Sequence, residues 1–206
     1  MKKIGVLISG SGSNLQALID AVDKGRIPAE ISLVISDRPN AYGIERAKNK
    51  GIPACTILRK KFDDYNAFNL AVLEKLMAHK VEYIVLAGYL SILSSELVRA
   101  YPNKIINVHP SLIPAFCGMG YYGKRVHQAV LDYGVKVTGA TVHLVDEGAD
   151  TGPIILQKTV DVLPDDTVES LAERVLKVEH ELLPKATALL VQDKLKVLGR
   201  KVIIMD

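Results

Sequence analysis

The stretch Lys3-Ile4-Gly5-Val6-Leu7-Ile8-Ser9-Gly10-Ser11-Gly12-Ser13-Asn14-Leu15 decides the fold. An apolar run stops at a serine-glycine turn, which reads as a buried strand feeding a tight turn. Beyond it Leu15, Leu18, Ile19 and Val22 recur at three- and four-residue spacing, so a helix follows, with Gly25 where a helix stop belongs. Ser13 is its expected N-cap. Residues 31–35 read as the next strand, 41–50 as a short helix closed by Gly51, and 53–58 as a weaker strand. Residues 62–79 carry Phe68, Val72, Leu73, Leu76 and Met77 as an amphipathic helix, and 81–87 form a third strong strand. Apolar strands alternating with helices predict a parallel sheet covered on both faces. The expected class is α/β: an open, mostly parallel, mononucleotide-binding (Rossmann-like) sheet with helices on both faces.

The second half changes character. Residues 104–108 form a strand that stops at His109-Pro110, 111–123 read as loop, and 125–133 as a helix. Residues 136–145 alternate around Thr138, Thr141 and His143 and pair, across the turn 146–153, with a strand at 154–162. Asp166, with Glu169 three residues on, is expected to cap a long helix striped by Leu171, Val175, Val178 and Leu182. Pro184 is expected to kink or end it. Residues 195–205 read as a small hairpin around Gly199-Arg200. No linker is visible, so residues 1–206 are expected to form one domain, with a phosphate-binding half over 1–100 and a catalytic half over 101–190.

Composition narrows the function. A length of 206 residues fits one domain or two small ones, and 49% apolar with 24% charged residues excludes a disordered or fibrous chain. The longest apolar run, Tyr83 to Leu90, is too short to span a membrane, and residues 4–8 are too short for a secretory signal. The net charge of +3 is scattered; the densest basic run, Arg59-Lys60-Lys61, reads as a solvated approach to a helix. Neither nucleic acid nor membrane is implied. Cys55 and Cys117 form no CxxC pair, which argues against a disulfide framework or a zinc site and fits a reduced, cytoplasmic setting.

Three places can carry chemistry. Ser9 to Asn14 follows a strand and opens a helix, where free N–H groups and the helix dipole attract a phosphate. It lacks the Gly-Lys-Ser/Thr of a Walker loop and the third glycine of a dinucleotide fingerprint, so one phosphate is expected. Asn107 and His109, two apart on a strand, point to one side at its carboxyl end, where open α/β sheets bind ligands. Pro110 ends the pairing and holds His109 extended. Asp146-Glu147-Gly148-Ala149-Asp150 forms an acidic turn with poor spacing for a metal; if it folds back, a carboxylate can hold an imidazolium. His143 reads as structural, Glu179-His180 as a polar helix face, and His79 and His127 as surface residues.

In chain order, four segments join: residues 4–17, Val85-Leu86-Ala87-Gly88-Tyr89-Leu90-Ser91-Ile92-Leu93, Asn107-Val108-His109-Pro110-Ser111-Leu112-Ile113-Pro114, and Asp150-Thr151-Gly152-Pro153-Ile154-Ile155. Together they closely resemble the phosphoribosylglycinamide formyltransferases, a family of folate-dependent formyl-group enzymes, from residue 3 to about 190. The resemblance implies a formyltransferase fold with a C-terminal folate-binding half. It implies transfer of a formyl group from 10-formyltetrahydrofolate, as cosubstrate, to the amine of glycinamide ribonucleotide (GAR) in purine synthesis, without a metal. It assigns Asn107, His109 and Asp150 to catalysis, and Gly12, Ser13, Asn14, Pro110 and Glu179 to the ribotide. It assigns Leu90, Ser91, Ile92, Leu93 and Asn107 to the folate. The partners it implies are small molecules, with no nucleic acid and no membrane, and it leaves a homodimer open.

Some positions depart from the family. An arginine is absent near Tyr65, Leu90-Ser91 replaces a methionine-arginine pair, and Leu176 stands where some members carry a polar residue. The segment Cys117 to Gly123 replaces a shorter, histidine-bearing loop. Two formyl-group relatives are less expected, since transfer to methionyl-tRNA would need a further C-terminal module and the deformylase usually carries an N-terminal regulatory domain.

Overall fold

A computed structural model describes residues 1–205. The first half runs β1 (Lys2–Ile8), α1 (Ser13–Asp23), β2 (Ala29–Ser36), α2 (Tyr42–Asn49), β3 (Ala54–Thr56), α3 (Tyr65–Ala78) and β4 (Tyr83–Leu86). A short helix α4 (Ser95–Ala100), not foreseen from the sequence, leads to β5 (Ile105–His109) and α5 (Lys124–Tyr133). The chain closes with β6 (Val137–Leu144), β7 (Ile154–Asp161), α6 (Val168–Val191), β8 (Leu195–Leu198) and β9 (Lys201–Ile204).

All nine strands lie in one sheet, ordered β3-β2-β1-β4-β5-β6-β7-β9-β8. From β3 to β5 every pairing is parallel. The expected hairpin forms: β6 runs antiparallel to β5, and β7 antiparallel to β6. The β8–β9 hairpin joins the edge through the pair Ile154–Lys201. Alternation within each strand explains the continuous apolar runs. Ile4, Val6 and Ile8 of β1 face a core shared with α1, α2 and α6, while Leu7 faces a second core with Phe68, Val72 and Leu76 of α3.

Two end signals are corrected. The cap of α6 is Thr167, whose side chain accepts from the Ser170 N–H, with Ser170 returning the bond; Asp166 instead pairs with Arg174. Of the two outcomes expected at Pro184, the ending does not occur: α6 runs on to Val191. A mid-helix proline costs roughly 3 kcal/mol. Leu182, Leu183, Leu190 and Val191, all buried around it, offset that at about 2 kcal/mol each.

The topology places the site. After β1 the chain turns to one side for β2 and β3, then crosses back to lay β4 on the other side of β1. The loops leaving β1, β4 and β5 therefore gather at one carboxyl edge, at the point where strand order reverses.

Candidate active site

The loop after β1 is built by contact with α2. Gly12 is in the left-handed region (φ 71°), and a Cβ there would lie 2.5 Å from Gly43 Cα. The Gly43 N–H donates to the Gly10 carbonyl at 3.2 Å. Gly12, not Ser13, is the N-cap, and no side chain caps α1. The first N–H groups of α1 are thus left for a ligand, and the helix dipole favours an anion.

Asn14, in the first turn of α1, reaches α6. Its Nδ2–H donates to Glu179 Oε2 at 2.7 Å. Both side chains are buried, and Asn14 Oδ1 has no protein partner. Burial pushes the Glu179 carboxyl up to about 7, against the Asn14 N–H, which favours the carboxylate.

At the end of β5 the antiparallel register with β6 sets Asn107 opposite His143 and His109 opposite Thr141. All four side chains share one face of the sheet. Asn107 Nδ2 lies 3.2 Å from His143 Nε2 and 3.4 Å from Asp150 Oδ1. His143 Nδ1 lies 2.8 Å from the Leu144 carbonyl, which can only accept, so the ring presents Nε2 to Asn107 as an acceptor when neutral. Sequence reasoning had set His143 aside as structural. Its one signal was the Thr141-x-His143 alternation, which becomes informative once paired with Asn107-x-His109.

His109 is 4% exposed and is held from two sides. Its Nε2–H donates to the Phe116 carbonyl at 2.9 Å, and Nδ1 stands 3.4 Å from Asp150 Oδ2. Burial pushes His109 below its ordinary value; the Asp150 charge and the Phe116 carbonyl pull upward without outweighing it. The Asp150 contribution thus has the sign that charge attraction gives it, while burial sets the net direction. Burial would push Asp150 up, but the His143 and His109 rings and the Gly118 N–H, at 2.9 Å, hold it below the usual carboxylate range.

Two loops complete this geometry. The segment after Pro110 is tied to β6 and β7: Thr141 Oγ donates to the Ser111 carbonyl and accepts from the Ile113 N–H, and Gln157 donates to the Ile113 carbonyl. That web sets the Phe116 carbonyl, a backbone group no motif search could find. The acidic turn does fold back, with Asp150 itself at φ 57°. Gly152 is required there because a Cβ would sit 1.7 Å from the Leu144 carbonyl oxygen. Among the weaker histidines, His127 is corrected: it is buried on the inner face of α5, and burial lowers it to about 4.

The trio opens into a cavity of about 290 Å³. Leu90 to Leu93, Gly118 to Gly123 and Asp146 to Asp150 line it, together with Pro110. Leu90, Ile92, Met119 and Tyr122 expose apolar surface, which fits a flat heteroaromatic ligand. In the 90–93 stretch the Leu90 N–H is bound to Ser9 Oγ, the Ile92 carbonyl to the Tyr65 hydroxyl, and Ser91 Oγ to Asp37. The structure brings Asn107, His109 and Asp150 together, and sets Gly12, Ser13, Asn14 and Glu179 together on the α1–α6 side.

The Asn107, His109 and Asp150 side chains meet at the edge where open α/β sheets bind ligands, and the class of protein follows from similarity to a family of group-transfer enzymes. The sequence profile of that family, Formyl transferase, matches residues 2–187, and the chain belongs to the family. Within it, similarity runs to phosphoribosylglycinamide formyltransferases. The one from Bacillus subtilis is 43% identical over 89% of this chain and 92% of its own length. The crystal structure of glycinamide ribonucleotide transformylase 1 from Symbiobacterium toebii is 46% identical, covering 100% of this chain and 95% of that one, with a TM-score of 0.95. The trifunctional purine biosynthetic protein adenosine-3 of Drosophila melanogaster is 44% identical over 92% of this chain, which spans 14% of that protein's length. Among the described residues no helix is long and apolar enough to cross a membrane.

Proposed function

We propose that the protein transfers the formyl group of 10-formyltetrahydrofolate to the amine of glycinamide ribonucleotide, as a phosphoribosylglycinamide formyltransferase of purine biosynthesis. The observation that supports this reading is that Asn107, His109 and Asp150 meet at the sheet edge that also carries two unlike surfaces. On one side lie the uncapped N-terminus of α1 and the buried Glu179, suited to a phosphate and a ribose. On the other lies the apolar cavity walled by Leu90 to Leu93, suited to a pterin.

The amine attacks the formyl carbon and its oxygen gains negative charge. Asn107 donates an N–H to that oxygen, exchanging the long contact to Asp150. His109 is held through Nε2 by the Phe116 carbonyl, which leaves Nδ1 beside Asp150 on the cavity wall. Asp150 stabilises the imidazolium while His109 holds the proton that the folate N10 needs as the C–N10 bond breaks. The attacking amine gives up one proton and N10 gains one, so no covalent enzyme intermediate and no metal is required. The test is the folate absorbance change on mixing the protein with both substrates. Change only when GAR is present is expected; formate release without GAR would make it a deformylase, and no change in either case would end this reading.

Glu179 adds a pH prediction. With its carboxyl at about 7, a fall in pH through neutrality protonates it. Ribose hydroxyls donate best to the ionised carboxylate, so binding favours proton release. The KM for GAR is expected to rise as pH drops from 8 to 6, and Glu179→Gln to flatten that rise relative to wild type. An unaltered profile in the variant would remove Glu179 from ribose binding.

A further inference from the structure

The loop from Ser9 to Asn14 carries no basic side chain, and neither does α1. A helix N-terminus offers only about half an elementary charge, so a fixed cation beside it would strengthen the hold on a phosphate. One stands fixed beside it. Arg46, one turn along α2 from Gly43, donates through Nε to the Ser11 carbonyl at 2.9 Å and through Nη1 to Gln16 Oε1 at 3.2 Å. Its guanidinium lies over the Tyr42 ring, 5.0 Å from the centroid, and its stem would touch a Cβ at Gly12 at 3.4 Å. Those two bonds go to a carbonyl and an amide rather than to a carboxylate, so the positive charge stays available, with donors left over from its five.

The space beside it points the same way. Ser13, Gln16, Arg46 and His180 line one open cavity of about 390 Å³, with Lys24 and Arg26 at its far end. The only carboxylate on its wall, Asp20, already accepts from Gln16. His180 Nε2 is shut from solvent there without a partner. Two elements thus lock the loop, Gly43 by backbone contact and Arg46 by its fork, which sits beside the first turn of α1.

We propose that Arg46 is the phosphate-positioning residue of the ribotide subsite, fixing the Ser11–Gly12 backbone and presenting its remaining N–H groups to the phosphate. This rests on the reading of the site given above. The test compares Arg46→Gln and Arg46→Lys with wild type on GAR, on its dephosphorylated nucleoside, and with inorganic phosphate as inhibitor and as a directly titrated ligand. Arg46→Gln is expected to raise the KM for GAR about 10- to 100-fold, the range of a charge-assisted hydrogen bond, with kcat and the folate KM held within about twofold. Arg46→Lys should recover part of that loss, since it keeps the charge but not the fork. Inorganic phosphate should bind more weakly to both variants, and the nucleoside should be used equally well by all three proteins. Equal losses on GAR and nucleoside, or unchanged phosphate binding, would overturn the role of Arg46, even if only the Lys variant folds. Wild-type protein inert toward GAR would end the functional reading, while the phosphate titration would still decide Arg46.

Discussion

Asn107→Ala and His109→Ala are each expected to cut turnover by orders of magnitude, with the double variant falling well short of the product of the two. Both side chains stand on one face of β5, and in the proposed mechanism both act on one transition state, Asn107 at the oxyanion and His109 at the leaving N10. Losing one preorganised oxyanion donor typically costs on the order of 10²–10³ in turnover, and losing a general acid on the order of 10²–10⁴. Groups that stabilise the same transition state do not add. Ground-state binding of both substrates should shift little, because the oxyanion exists only near the barrier top. Steady-state kinetics on variants shown to be folded by circular dichroism decide the matter. Near wild-type turnover in either single variant would exclude that residue from the mechanism. Loss of folding in both would return the pair to a structural role at a strand end.

Asp150→Asn is expected to be nearly as damaging, by about 10²-fold or more in turnover. The substitution keeps size but removes the charge 3.4 Å from His109 Nδ1. Burial already pushes His109 down, and Asp150 is the main force opposing it. Without that carboxylate the ring should titrate at still lower pH, so less imidazolium is present at neutrality. The high-pH fall in turnover should therefore begin at a lower pH than in wild type. NMR titration of His109 in both proteins gives the shift directly. If its pKa does not move, Asp150 acts through the Gly118 N–H and the loop instead.

Much of this was legible in the sequence because central parallel strands are apolar on both faces. Residues 3–8 and 81–87 announce themselves without any alternation. The Asn107-x-His109 pair was equally legible, since strand periodicity alone puts both side chains on one side. What escaped depends on contacts between distant segments. His143 joins the trio only through the β5–β6 register, which local periodicity does not encode. The Phe116 carbonyl is main chain and leaves no residue-type signature. Pro184 does not end α6 because buried leucines on both sides of it override the local rule. Helix α4 has six residues and a Ser94 cap, too little to show a period. Arg46 looked like any surface arginine, because nothing near it in sequence says that α2 lies against the loop after β1.

The bond between Asn14 and Glu179 joins residues 165 apart in the chain. During synthesis, therefore, the N-terminal loop leaves the ribosome long before its carboxylate partner exists. A nascent or truncated chain lacking α6 has half a pocket, with Asn14 facing open solvent, and should not retain the nucleotide. On the reading proposed above, competence for a nucleotide thus reports that α6 has been made and docked. On the proposed reading, a nucleotide held there joins α1 to α6 like a clasp, and resistance to proteases should rise with its concentration.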